Sequence, residues 1–264
     1  MDLQLKGKRA LVTGSSVGIG FAIAKALALE GASVIVNGRA AVRTKVAART
    51  IHDAGAPEPV YPFIGDLTKH ADLERLSAEV PEVDILVNNL GIYEPKPFEA
   101  ITDEDWLRIF DTNVLSGIRL SRFYLPGMRG RNWGRIVFIS SESGINIPVE
   151  MIHYGLTKTA QLALSRGLAE TTAGTGITVN SVLPGPTRSE GVGDFVAKMA
   201  HDKGMSPAKV EEEFFKNVRP SSLLKRFATP DEVASLVAYV CSPLASATNG
   251  AALRVDGGVV RSIV

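Results

Sequence analysis

The sequence predicts an α/β protein: one doubly wound, seven-stranded parallel sheet with helices on both faces. Three observations carry that prediction. Short β-branched runs alternate with longer segments of helical period through all 264 residues. The runs are apolar at successive positions, as expected of parallel strands covered on both sides. A glycine-rich turn, Thr13-Gly14-Ser15-Ser16-Val17-Gly18-Ile19-Gly20, joins the first run to the first helical segment.

The strand candidates, in order, are Arg9–Thr13, Ser33–Val36, Val60–Ile64, Asp84–Val87, Arg135–Ser140, Ile177–Val182 and Ala252–Val255. Between them, helical period marks Ile19–Glu30, Val42–Ala54, Leu73–Val80, Asp103–Tyr124, Tyr154–Thr172 and Asp231–Cys241. Two helix starts carry capping signals. Thr229-Pro230-Asp231-Glu232 has a threonine cap, a first-turn proline and a glutamate at the third position. Thr102-Asp103-Glu104-Asp105 repeats the pattern with aspartate. Strand–helix alternation with right-handed crossovers implies a single domain over residues 1–264. One stretch, 187–226, departs from it. It is long, polar and partly helical, carries Glu211-Glu212-Glu213, and reads as a lid or substrate segment after the sixth strand.

Bulk composition narrows the class of function. Hydrophobic residues make up 45% and charged residues 22%, as in an ordinary globular protein. A net charge of +1 supplies no basic field, so neither nucleic acid nor an anionic membrane is the expected partner. The single cysteine, Cys241, allows no internal disulfide, which fits a reducing cytoplasm. The N-terminal stretch meets glycine too soon to read as a signal peptide or a spanning helix. No metal site is read in the chain.

The glycine turn has its own chemistry. Gly14 permits a tight turn at the strand end, Gly18 lets backbone approach a pyrophosphate, and Gly20 allows close helix–strand packing. Ser15, Ser16 and Ile19 lie in the same turn, where free N–H groups and the positive end of the helix face phosphate. No lysine follows the last glycine, so the turn is not a P-loop. Asp66 and Leu67 end the third strand; the aspartate either accepts from an adenine amino group or caps the next turn. Asn89 and Gly91 follow the fourth strand, where Gly91 lets backbone lie flat under a ribose. All of these sit at carboxyl ends of strands, the side on which an open α/β sheet binds ligands.

Tyr154 and Lys158, four apart, share one helix face. An ammonium beside a phenol stabilises phenolate and brings the tyrosine toward useful acid–base behaviour. Ser141, at the end of the fifth strand, reaches the same crevice and can hydrogen-bond a carbonyl. His153 points off the tyrosine's face. Glu142 and Glu150 read as solvated charges; Arg188 and Arg219 read as surface arginines able to meet an anionic substrate. A serine hydrolase built on Ser141 and His153 is excluded, because no G-x-S-x-G elbow surrounds the serine.

Over its whole length the chain resembles the short-chain dehydrogenases/reductases, a Rossmann-fold oxidoreductase family, and in particular its 3-oxoacyl-carrier-protein-reductase-like members. The resemblance rests on 13–20, Asp66, Asn88-Asn89-Leu90-Gly91, Asn113, Ser141, Tyr154-Gly155-Leu156-Thr157-Lys158, Pro184-Gly185 and Val255-Asp256-Gly257-Gly258. It implies an enzyme that interconverts a small-molecule carbonyl and alcohol by hydride transfer. Tyr154 would be the proton donor, and Lys158 would lower its pKa and hold the nicotinamide ribose. Ser141 would bind the carbonyl, and Asn113 would fix a water in the proton relay. Pro184, Gly185 and Thr187 would face the carboxamide. The resemblance also implies a homotetramer or homodimer that pairs the helices beginning near Asp103 and Tyr154. Leu90 departs from the family's usual alanine and narrows the cleft floor. A dinucleotide sensor of the same fold without turnover is the competing reading, and it is disfavoured because Asn113, Ser141, Tyr154 and Lys158 are all present. At the end of the second strand the family's NAD-selecting acidic position is Gly38, followed by Arg39. The expected cofactor is therefore NADP(H) rather than NAD(H), with Arg39 on the 2′-phosphate.

Overall fold

All seven strands run parallel, in the order β3-β2-β1-β4-β5-β6-β7. The computed structural model describes residues 2–263 except 191, 194–196, 198, 199, 201 and 203. The strands are β1 Arg9–Val12, β2 Ser33–Gly38, β3 Val60–Ile64, β4 Ile85–Asn88, β5 Gly134–Ile139, β6 Ile177–Pro184 and β7 Ala252–Val255. The described α-helices are α1 Gly18–Leu29, α2 Ala41–Asp53, α3 His70–Glu79, α4 Asp103–Phe110, α5 Ser116–Arg131, α6 Ile152–Glu170, α7 Pro207–Asn217 and α8 Pro230–Val240.

Successive strand residues point to opposite faces, and two apolar layers result. Ala10, Val12, Val34, Val36, Ile85 and Val87 pack with Ile23 and Leu27 of α1 and Val233 and Val237 of α8. Leu11, Ile35, Leu86, Ile136 and Phe138 pack on the other face with Leu76 of α3, Leu120 and Met128 of α5 and Ala169 of α6. Each such aliphatic side chain contributes roughly 1.5–3 kcal/mol by leaving water.

Three features differ from the sequence reading. The strand at Val60–Ile64 is not apolar on both faces: it lies at the sheet edge, with Tyr61 and Pro62 exposed. An edge strand tolerates a proline because one row of its N–H groups has no ladder partner. The helix expected over 103–124 is not continuous. It breaks into α4, a π-helical turn at Asp111–Leu115, and α5, which runs on to Arg131. Such a turn inserts one residue into the ladder and re-aims the side chains around it. Finally, β2 and β6 extend beyond their predicted ends, to Gly38 and Pro184. Both capping boxes form as read, at Thr102–Asp105 and Thr229–Glu232.

Part of the segment 187–226 lies outside the described residues. Within its described part, Val210 and Phe215 of α7 join Ala200 and Phe227 in a small apolar cluster that is separate from the two sheet layers. Two acids of its run are paired: Glu211 with Arg188 and Glu212 with Lys209. No helix among the described residues is long and apolar enough to cross a membrane.

Candidate active site

Because the strands are parallel, their carboxyl ends share one edge, and the residues read from the sequence gather there. Gly14 and Gly18 adopt φ of 58° and 61°, a left-handed conformation that favours glycine. A Cβ on Gly20 would stand 2.5 Å from Asn89 Nδ2, 2.6 Å from Gly14 O and 2.9 Å from Ser15 Cα. Gly20→Ala is therefore expected to destabilise the protein by about 1–3 kcal/mol. A Tm lower by several degrees, measured together with weakened dinucleotide binding, is the check.

The turn is tied down from beneath. Asn37 on β2 accepts from Gly14 N at 3.1 Å and donates to Phe63 O and Gly65 O, at 3.3 and 3.1 Å. Asn89 donates to Thr13 O at 2.9 Å and Gly14 O at 3.1 Å, so its amide braces the underside of the turn. Ser15 Oγ is likewise occupied, donating to Val12 O at 2.6 Å. Asp66 Oδ1 accepts from Thr68 N and Oγ1 at 3.1 and 2.8 Å, which is the turn-capping alternative for that atom. Leu67 is buried in the core with Leu76 and Leu86, so its side chain packs rather than binds.

The π-helical turn brings in Asn113, which is buried. Its Oδ1 accepts from Ile92 N at 2.8 Å, and its Nδ2 donates to Ile92 O at 2.9 Å and Thr157 Oγ1 at 3.0 Å. Lys158 Nζ, also buried, donates to Ile139 O at 2.9 Å and Gln161 Oε1 at 3.3 Å. Gln161 Nε2 in turn donates to Asn113 O at 2.6 Å. A buried amide therefore links lysine to the Asn113 carbonyl, a residue the sequence reading missed. The available signal was spacing, since residues three apart on a helix share a face. A Cβ on Gly91 would lie 3.5 Å from Asn113 Oδ1 and 3.6 Å from Lys158 Nζ, so Gly91 backs directly onto this group.

Of the two adjacent serines, Ser140 Oγ donates to Lys158 O at 2.8 Å, whereas Ser141 stands within hydrogen-bonding reach of the Tyr154 phenol. Lys158 Nζ lies 5.5 Å from the centre of the Tyr154 ring. The expected lowering of the phenol's pKa is not what this environment gives. Burial pushes Tyr154 up to about 12, and the Ser141 hydrogen bond opposes it only in part. Burial also brings Lys158 down to about 7, which weakens the lysine's leverage on the phenol. Tyr93, another residue missed, meets Tyr154 edge to face with ring centres 6.2 Å apart.

Pro184 ends β6, Gly185 N donates to Val255 O at 3.2 Å, and Thr187 Oγ1 donates to Gly185 O at 2.9 Å. The next residues pass over the glycine turn: a Cβ on Gly18 would lie 3.4 Å from Ser189 Cβ. Arg39 is exposed just before α2. Two earlier readings need correction. Glu142 is not a solvated charge but is 3% exposed, and Arg219 is not a surface arginine but is held by Glu142 and Glu150. Glu142 and Glu150 stand in short 3-10 turns, Glu142–Gly144 and Val149–Met151, and Arg219 offsets only part of the desolvation of Glu142, whose pKa burial raises. His153 is buried off the tyrosine's face, edge to face with Trp106.

Residues 8–200 match the family model for short chain dehydrogenase. The chain is 46% identical over 263 residues to an uncharacterized oxidoreductase, YvaG, of Bacillus subtilis (strain 168), with 100% of both chains covered. It is 35% identical over 260 residues to D-beta-hydroxybutyrate dehydrogenase of Cupriavidus necator, covering 97% of this chain and 99% of that one. The L-sorbose reductase of Gluconobacter frateurii, solved with NADPH and L-sorbose, superposes with a TM-score of 0.93 at 30% identity, covering 100% of both chains. By its fold, its glycine turn and these relatives, the chain belongs to the short-chain dehydrogenase family of oxidoreductases.

Proposed function

We propose that this oxidoreductase interconverts a carbonyl and an alcohol at the expense of a nicotinamide dinucleotide, with Tyr154 as general acid and base. The observation that carries the reading is the meeting of Tyr154, Ser141, Lys158 and Asn113 beside the glycine turn, at one edge of the sheet. The residues present fit a dinucleotide: a Cβ at Gly20 would fill the turn, and Ser16, Gly18 and Ile19 leave backbone N–H groups at or just before the start of α1 for phosphate. When bound, the nicotinamide supplies or accepts the hydride.

This chain's residues do the rest. Ser141 and Tyr154 donate hydrogen bonds to the carbonyl oxygen, where negative charge grows. A phenol held up to about 12 is protonated at neutral pH, so it carries the proton that an alkoxide would take. Lys158 would hold ribose hydroxyls, and Gln161, itself anchored on the Asn113 carbonyl, keeps its Nζ oriented. With the dinucleotide bound, Pro184, Gly185 and Thr187 would face its carboxamide, and the stretch 187–226 would serve as the lid or substrate segment of a single 1–264 domain. Exposed Leu107, Phe123 and Leu156, on α4, α5 and α6, favour a homodimer or homotetramer through those helices. The lone Cys241, buried and reduced, fits a cytoplasmic location.

For the cofactor, we favour NADP(H). A Cβ on Gly38 would stand 2.5 Å from Thr44 Oγ1 and 2.9 Å from Ser16 Oγ, so an acidic side chain has no room there. No carboxylate pairs with Arg39 among the described residues, which leaves its guanidinium for a 2′-phosphate. Arg39→Leu is the cleaner test, because Gly38→Asp would also force Thr44 and Ser16 to move. It should cost about tenfold or more in kcat/KM with NADPH and little with NADH. A wild-type enzyme equally efficient with NADH would contradict the preference. Screening carbonyls and alcohols with both nucleotides tests the reaction class, and a panel without any turnover would count against it.

A further inference from the structure

Lys158 Nζ carries three N–H donors, and the buried side of the cleft uses two of them. One goes to Ile139 O at 2.9 Å and one to Gln161 Oε1 at 3.3 Å. No third acceptor meets the ammonium among the described residues. Two fixed acceptors set its rotation, so the third N–H is the one left for a nucleotide ribose. Gln161 stands three residues after the lysine on the same face of α6 and is 1% exposed.

Asn113 is equally committed. Its Oδ1 accepts from Ile92 N, and the two hydrogens of Nδ2 go to Ile92 O and Thr157 Oγ1. Both ends of the side chain are engaged, which leaves its backbone carbonyl to hold the water expected in the relay. That carbonyl already accepts from Gln161 Nε2 at 2.6 Å. The partners fix the orientation of the amide. An ammonium only donates and a carbonyl only accepts, so the amide oxygen must meet Lys158 and the amide nitrogen Asn113. All three residues are buried, and they form one continuous chain of hydrogen bonds.

We propose that Gln161 is a positioning residue whose amide takes the place of the relay water, tying Lys158 to the Asn113 carbonyl and aiming the remaining N–H at the nucleotide ribose. The proposal rests on the reading of Lys158 as the residue that holds the ribose, and it names what holds the lysine. A water between an ammonium and a carbonyl accepts from one, donates to the other and exchanges its protons. A carboxamide makes the same two bonds but keeps its N–H protons near neutral pH. The link therefore steadies the lysine and passes no proton beyond it.

The test compares a side chain that fills the space of the amide with one that vacates it. Gln161→Met keeps the length and removes both hydrogen bonds, so the NADPH Kd should rise about tenfold and turnover should fall about thirtyfold. Gln161→Ser leaves room for a water between two polar partners, and that water can make both bonds again. It should recover about tenfold of the lost turnover and most of the lost affinity. In a crystal structure of nucleotide-free Gln161→Ser, a water should stand within about 3 Å of both Lys158 Nζ and Asn113 O. Wild-type affinity and turnover in Gln161→Met, or no such water in Gln161→Ser, would overturn the proposal. If thermal unfolding shows that Gln161→Met does not fold, Gln161→Leu takes its place as the filler and the Gln161→Ser structure decides by itself. Absence of turnover by the wild type on every carbonyl and alcohol would instead overturn the reductase reading, and NADPH affinity with the crystal structure would still decide the role of Gln161.

Discussion

Tyr154→Phe is expected to lower turnover by about a hundredfold or more while leaving dinucleotide binding nearly unchanged. The substitution keeps the ring, and with it the edge-to-face contact with Tyr93 at 6.2 Å. Only the hydroxyl goes, and with it the hydrogen-bonding partner of Ser141. A loss confined to kcat, with wild-type affinity by nucleotide fluorescence titration, is the signature of a group that acts on the reacting oxygen. Near-wild-type turnover would remove Tyr154 from its assigned role.

Lys158→Ala should act differently, lowering both activity and nucleotide affinity. The ammonium bonds Ile139 O and Gln161 Oε1, and its removal leaves both acceptors in a buried pocket without their donor. Turnover should fall by about a hundredfold or more, and nucleotide Kd should rise by about tenfold. Circular dichroism and Tm distinguish this from a general loss of structure. A variant that binds nucleotide as wild type does would separate Lys158 from the ribose, and the proposal for it would fail.

The strands were readable because a parallel sheet covered on both faces leaves β-branched apolar runs, and five of the seven are buried along most of their length as that pattern implies, the two edge strands β3 and β7 being the exceptions. The capping boxes were readable because their chemistry is local, within four residues of sequence. The π-helical turn at Asp111–Leu115 was not. One extra residue in a helical ladder leaves the hydrophobic period almost unchanged, and only the closing of Asn113 onto Ile92 and Thr157 reveals it. Glu142 was misread for a related reason. Its partner Arg219 lies 77 residues away, so its burial has no local signature. The expected lowering of the Tyr154 pKa rested on a cation visible as i, i+4 spacing, whereas the desolvation that raises it is a property of the assembled cleft.

Hydride transfer itself is the central claim, and isotope transfer tests it most directly. The protein is incubated with NADPH carrying deuterium at C4 of the nicotinamide and with the carbonyl panel, and products are read by mass spectrometry. Alcohol products gaining a single deuterium at the former carbonyl carbon are the predicted result. Tight dinucleotide binding with no labelled alcohol from any carbonyl, under either stereospecific label, would contradict it and mark a sensor that merely shares the fold.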